Sequence, residues 1–241
     1  MRDHLATDED RRAVPQEPGI RLPARPWVPY VLPFLVFLAF LLLDRTTGDG
    51  VLLYPVRVMV VGLALILVSR RVISFRAVRP AGSLLLGIAV YAVWVLPDTL
   101  WPGYRSHWLF ENAIMGAAAS SLPSHARADL AFIVFRTLGC VAIVPLVEEL
   151  FWRGWLGRWL VNSDFEKVSL GAYTRSAFWL SAFLFASEHG PYWEVGLLAG
   201  IAYNWWLMRT RNLADCVLAH AVTNACLSAH VLITGQWQYW L

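Results

Sequence analysis

Long apolar runs alternate along this chain with short clusters of arginine, and that alternation restricts the available folds more than any other feature. The runs cover residues 28–43, 51–69, 82–97, 130–160, 176–187, 195–208 and 213–234. A helix crosses the hydrocarbon of a bilayer with about 20 residues, within a range of about 17–25. Lipid offers no hydrogen bonds to the backbone, so segments of this kind satisfy their own peptide groups as helices. The composition fits lipid as solvent, with 58% hydrophobic and only 15% charged residues. A soluble domain carries about 25% charged residues. The expected fold class is therefore all-α, a polytopic transmembrane helix bundle of about seven to eight spans.

The basic residues set the expected topology. Nineteen of the 20 are arginine, and the net charge is +3. They lie in short groups between apolar runs, which is a topology signal and not a nucleic-acid surface. With the N-terminus in the cytosol and seven helices alternating, 14 basic residues fall inside and Arg45, Arg105 and Arg127 outside. Arg57, Arg136 and Arg153 fall within spans. Arg57 and Arg136 lie towards outer span ends, where snorkelling to the interface accounts for them. Trp27, Trp101, Trp108, Trp193, Trp237 and Trp240 lie near span ends, as an aromatic belt requires.

Four regions follow. Residues 1–27 are polar, charged and proline-containing without the layout of a signal peptide, and read as a disordered cytosolic arm. Residues 28–129 hold N-terminal spans and an outer stretch, in which "WLFENAIMGAAASSL" is expected to form an interfacial helix. Residues 130–235 form a core, and 236–241 a short tail. His4, His107, His125 and His230 read as solvated or interfacial. Cys140, Cys216 and Cys226 are odd in number and lack CxxC spacing, so they read as small core residues and not as a disulfide framework.

The fourth run contains the residues hardest to reconcile with lipid. Glu148 and Glu149 interrupt it, yet "LFWRGWLGRWLV" follows them. At 1.5 Å per residue Glu148 lies about 20 Å along a helix from Asn162 in the next polar stretch. A carboxylate at that depth costs at least about 2.5 kcal/mol on insertion scales and marks a candidate functional site. His189 follows the fifth run, four residues after Phe185. His220 and Asn224, also four apart, share a helix face in the seventh. Together these are two carboxylates, two imidazoles and an amide from three core helices.

Such a set is suited to hydrolysis. A carboxylate beside an imidazole activates water, and an amide or imidazolium stabilises the oxyanion that results. Glu149 and Arg153 have the spacing of an intrahelical ion pair. Glu148, turned about 100° from Glu149, is then free for chemistry. The competing interpretation treats the same polar groups as interhelical glue in a non-catalytic scaffold or a maturation or immunity factor. Gly196 and Gly200 form a GxxxG pattern suited to close packing within the bundle.

"EELFWR", "FASEH" and "HAVTN" match EExxxR, FxxxH and HxxxN in order. In these motifs, over about residues 130–230, the chain resembles the CPBP family of intramembrane proteases. That family includes CAAX prenyl endopeptidases of the Rce1 type and bacterial Abi-type enzymes. The chain as a whole is also similar to CAAX-protease-related proteins that accompany exosortase systems. The resemblance implies an intramembrane peptidase in the bacterial cytoplasmic membrane, acting on a membrane-anchored or hydrophobic peptide, with exosortase-system proteins as partners. By position, Glu148 and His189 would activate water, His220 and Asn224 would hold the oxyanion, and Glu149 and Arg153 would support the helix. No cofactor is favoured. The alternative is a zinc ion on Glu148, His189 and His220, as two His and one carboxylate with an open position.

Overall fold

The computed structural model describes residues 25–48, 50–120 and 122–240. The expected cytosolic arm, with His4 and the arginines at 2, 11, 12 and 21, lies outside the described residues up to position 24. Seven long helices account for the seven apolar runs: α1 Val28–Thr47, α2 Gly50–Ser69, α3 Pro80–Leu100, α4 Leu130–Trp159, α5 Arg175–Ser187, α6 Trp193–Thr210 and α7 Leu213–Thr234. Among the described residues no strand occurs, only an isolated bridge between Asn112 and Gly116. Five of the seven (α1, α2, α3, α4 and α7) are long and apolar enough to cross a membrane. The protein is thus an all-α membrane helix bundle. With 13 residues, α5 reaches about 20 Å, short of the roughly 30 Å hydrocarbon layer.

The core joins all seven helices around Phe34, Val61, Val90, Val147, Leu150, Phe185, Tyr203 and Ala219. Large apolar side chains such as Leu52, Ile66, Leu85 and Ile233 cover the outside, where lipid replaces water.

Helices α3 and α7 pack at backbone distance. A Cβ on Gly87 would stand 2.4 Å from the Ala219 carbonyl, so only glycine permits the contact. Thr223 Oγ1 uses the same approach to donate to Gly87 O at 2.9 Å. At the start of the pair, buried Asp215 accepts from the backbone N–H groups of Val78 and Arg79 and from Ser83 Oγ, each at 2.9 Å. An α7 carboxylate thereby satisfies donors at the beginning of α3 that have no intrahelical partner.

The outer stretch departs from expectation. No helix forms over residues 108–120. Asn112 Oδ1 accepts from the N–H groups of Ile114 and Met115, a local turn that competes with helix hydrogen bonding. Gly116 follows at φ +83°. Arg105, read from sequence as an outside charge, is buried and binds this stretch to the bundle. Its Nη1 donates to Pro191 O at 2.7 Å and meets Glu194 Oε1 at 2.8 Å, while Nε donates to Asp98 at 3.0 Å.

Snorkelling is also corrected. Arg57 is 6% exposed and its guanidinium lies over Tyr54 at 4.3 Å. Arg136 lies over the same ring at 4.7 Å and near Trp240 at 5.8 Å. Both cations turn onto aromatic faces inside the bundle, where the ring quadrupole attracts them without the stem having to reach the surface. Trp240 is buried with them and is no belt residue. His230 is half-buried, with Nδ1 3.1 Å from the Tyr91 hydroxyl. The cysteines are unpaired, and Cys216 is fully buried.

Candidate active site

Helix α4 passes through the glutamates without ending, and its backbone widens on both sides of them. Residues Gly139–Ile143 and Leu150–Leu156 form π-helical turns around the α-helical segment Val144–Glu149. Proline has no N–H and its ring crowds the carbonyl four residues earlier. Pro145 therefore favours a wider turn just before it, and Val144 N–H reaches back five residues to Gly139 O. Widened turns of this kind occur often at functional sites. At Gly139 the neighbouring helix comes so close that a Cβ would stand 2.5 Å from the Tyr54 hydroxyl.

Glu149 occupies the interior, fully buried. Its Oε1 accepts from Arg153 Nη1 at 3.2 Å and from His220 Nδ1 at 3.0 Å. Arg153, itself 2% exposed, spends its other donors on Asn204 Oδ1 at 3.0 Å and Gly200 O at 3.3 Å. Asn204 in turn donates to Phe178 O and Ser181 Oγ. The expected Glu149–Arg153 pair is present, and Glu149 does more than support the helix, because it also orients His220. Asn204 had no sequence signal beyond being an amide in an apolar helix.

Glu148 has a different environment. It is buried, its Oε2 has no hydrogen-bond partner, and no ion pair reaches it among the described residues. Glu149 Oε2 is also unpartnered, but its carboxylate is already bound to two side chains through Oε1.

Both imidazoles pack against Phe185. That ring centroid is 4.8 Å from His189 and 6.0 Å from His220, and the Arg153 guanidinium lies over its face at 4.4 Å. The phenylalanine of FxxxH is thus a spacer among three polar side chains. His189 lies past the end of α5, and its Nδ1 is 2.8 Å from Phe185 O. A carbonyl only accepts, so Nδ1 carries the hydrogen and Nε2 keeps its lone pair. The same reasoning at the Glu149 carboxylate leaves Nε2 of His220 outside that contact. Gly196 makes the seat for His189, since a Cβ there would lie 2.8 Å from Nδ1. Gly200 packs against Ala182 O and Phe185. The GxxxG pattern therefore serves packing within the bundle, and its first glycine shapes the site.

Among the motif residues, Glu149, Arg153 and His220 make direct polar contacts with one another. Glu148 and His189 share no hydrogen bond. Asn224 donates Nδ2–H to Cys140 O at 2.8 Å, tying α7 to α4 two turns before Glu148. Among the described residues no three His, Cys, Asp or Glu side chains gather as metal ligands.

Glu188 was overlooked. It accepts from Trp152 Nε1 at 3.0 Å. Its position beside His189 was the only sequence signal, and nothing indicated that Trp152 would hold it.

An all-α membrane bundle with a carboxylate–imidazole–guanidinium cluster buried among its central helices is the class that fold and site define. Residues 130–226 match the family model described as type II CAAX prenyl endopeptidase Rce1-like. This stretch runs from the start of α4 to well inside α7 and contains all seven motif residues. No curated protein and no solved structure matches the chain.

Proposed function

We propose that the protein is an intramembrane endopeptidase that hydrolyses a peptide bond of a membrane-associated protein or hydrophobic peptide. The observation that carries this reading is the buried, unpartnered oxygen of Glu148 next to a Glu149 carboxylate already occupied by Arg153 and His220. A buried carboxylate oxygen without a partner is costly and needs a reason. Binding and deprotonating the hydrolytic water is such a reason.

Glu148 takes a proton from water, with the Nε2 lone pair of His189 as the second acceptor. The water oxygen attacks the carbonyl carbon. The resulting oxyanion accepts hydrogen bonds from Nε2–H of His220 in its imidazolium form, whose Nδ1–H is held by Glu149, and from the Asn224 Nδ2 hydrogen not used by Cys140 O. Glu149 holds His220 in orientation, and Arg153 holds Glu149. The proposed route uses no metal, and zinc on Glu148, His189 and His220 is the alternative it is tested against.

The family description directs the first substrate test to a farnesylated peptide ending in a CAAX sequence. Purified protein in liposomes is expected to cleave it, or a membrane-anchored precursor that accumulates in a deletion strain. Glu148→Gln is expected to stop cleavage while leaving the protein folded. Unchanged processing by that variant defeats the reading and leaves a non-catalytic peptide-binding role. Chelator treatment should have no effect, whereas activity lost to chelator and restored by zinc overturns the metal-independent mechanism.

A further inference from the structure

The peptidase reading provides an acceptor for the proton of water but leaves open which group protonates the departing amine. Glu188 holds a variable position of the FxxxH motif, and the fold delivers it to the site. Trp152 follows Glu148 by four residues on α4, so the two side chains leave the same side of that helix. Trp152 Nε1 donates to Glu188 Oε2 at 3.0 Å, which brings a carboxylate from beyond α5 to the side where Glu148 sits. Glu188 also precedes His189 directly and is exposed as a residue. Two close carboxylates repel when both are ionised, so the arrangement favours one proton between them.

We propose that Glu188 is the general acid of the proposed peptide hydrolysis, paired with Glu148 as the base. This rests on the peptidase reading. Water loses a proton to Glu148 as its oxygen bonds to the carbonyl carbon. The tetrahedral adduct collapses, the carbon–nitrogen bond breaks, and the nitrogen takes the proton held by Glu188. The proton on Glu148 then passes to Glu188. Peptide and water become a carboxylic acid and an amine, with no other reactant. Trp152 is a positioning residue that aims Glu188.

The test compares a membrane-associated peptide with its depsipeptide twin, in which an ester replaces the scissile amide. An alkoxide needs protonation far less than an amine does when it leaves. With the wild-type protein in liposomes and the farnesylated CAAX peptide, or the precursor found in a deletion strain, Glu188→Gln is expected to lower kcat on the amide about 10²–10⁴-fold with KM unchanged. On the ester the same variant should remain within about tenfold of wild type. Glu188→Asp should recover part of the amide activity. Trp152→Phe, which keeps the carboxylate and removes its tether, should lose about tenfold on the amide only. Glu148→Gln should lose both substrates. Equal losses on amide and ester for Glu188→Gln, or none on either, overturn the role of Glu188 while Glu148→Gln still supports the peptidase. Full activity of Glu148→Gln, or no cleavage by wild type, overturns both.

Discussion

Glu149 and Glu148 are adjacent in sequence and both buried, but their surroundings differ. Glu149 is held by Arg153 and His220, and behind Arg153 the Asn204 amide makes a bond with each of its polar atoms. Glu148 has an oxygen with no partner and no ion pair among the described residues. Breaking a buried ion pair leaves an uncompensated charge, so removal of a Glu149 partner costs stability. Neutralising Glu148 removes an isolated carboxylate, so the fold loses nothing and the chemistry loses its base.

Substitutions on the two sides should therefore separate activity from stability. The largest effect is expected for Glu148→Gln, with cleavage lowered by about 10³-fold and thermal unfolding in detergent unchanged. Next comes Arg153→Ala, which should destabilise the protein by about 3–5 kcal/mol in denaturant unfolding. Wild-type stability in that variant would remove the contrast between the two glutamates. Gly196→Ala should follow, with a loss near 10²-fold in turnover at nearly wild-type stability, because the methyl displaces the His189 ring from its seat. Turnover equal to wild type would show that the exact placement of His189 does not matter. His125→Ala, on an exposed side chain of the outer stretch, should change stability by no more than about 0.5 kcal/mol and leave turnover unaffected. It checks that only the imidazoles around Phe185 matter.

Much of the architecture was readable beforehand. Each apolar run became one helix, with ends within a few residues, and α4 continues past the glutamates because "LFWRGWLGRWLV" keeps it apolar. The spacing of Glu149 and Arg153 predicts their contact, since it is local to one helix. The residues missed share another property: their partners are far away in the chain. Glu188 meets Trp152 across 36 residues, Asn204 meets Arg153 across 51, and Asp215 meets Val78 across 137. Single polar residues in apolar helices look alike in sequence, whether they are satisfied or not. The outer stretch failed for a different reason, because its composition tolerates a helix and the Asn112 side chain prefers a turn.

Sequence alone determined the solvent and hence the class of fold, because lipid obliges apolar segments of this length to close their backbone hydrogen bonds as helices. It also determined which polar residues stand where lipid makes them expensive. Tertiary structure decided how those residues differ from one another. The rotation and spacing of α4, α5, α6 and α7, with π turns on either side of the glutamates, gave Glu149 its His220 contact, tied Arg153 to Asn204 and Gly200, and left Glu148 with no ion pair among the described residues. Those contacts run between helices, and a few degrees of helix rotation redistributes them with no change in the hydrophobic pattern of the chain.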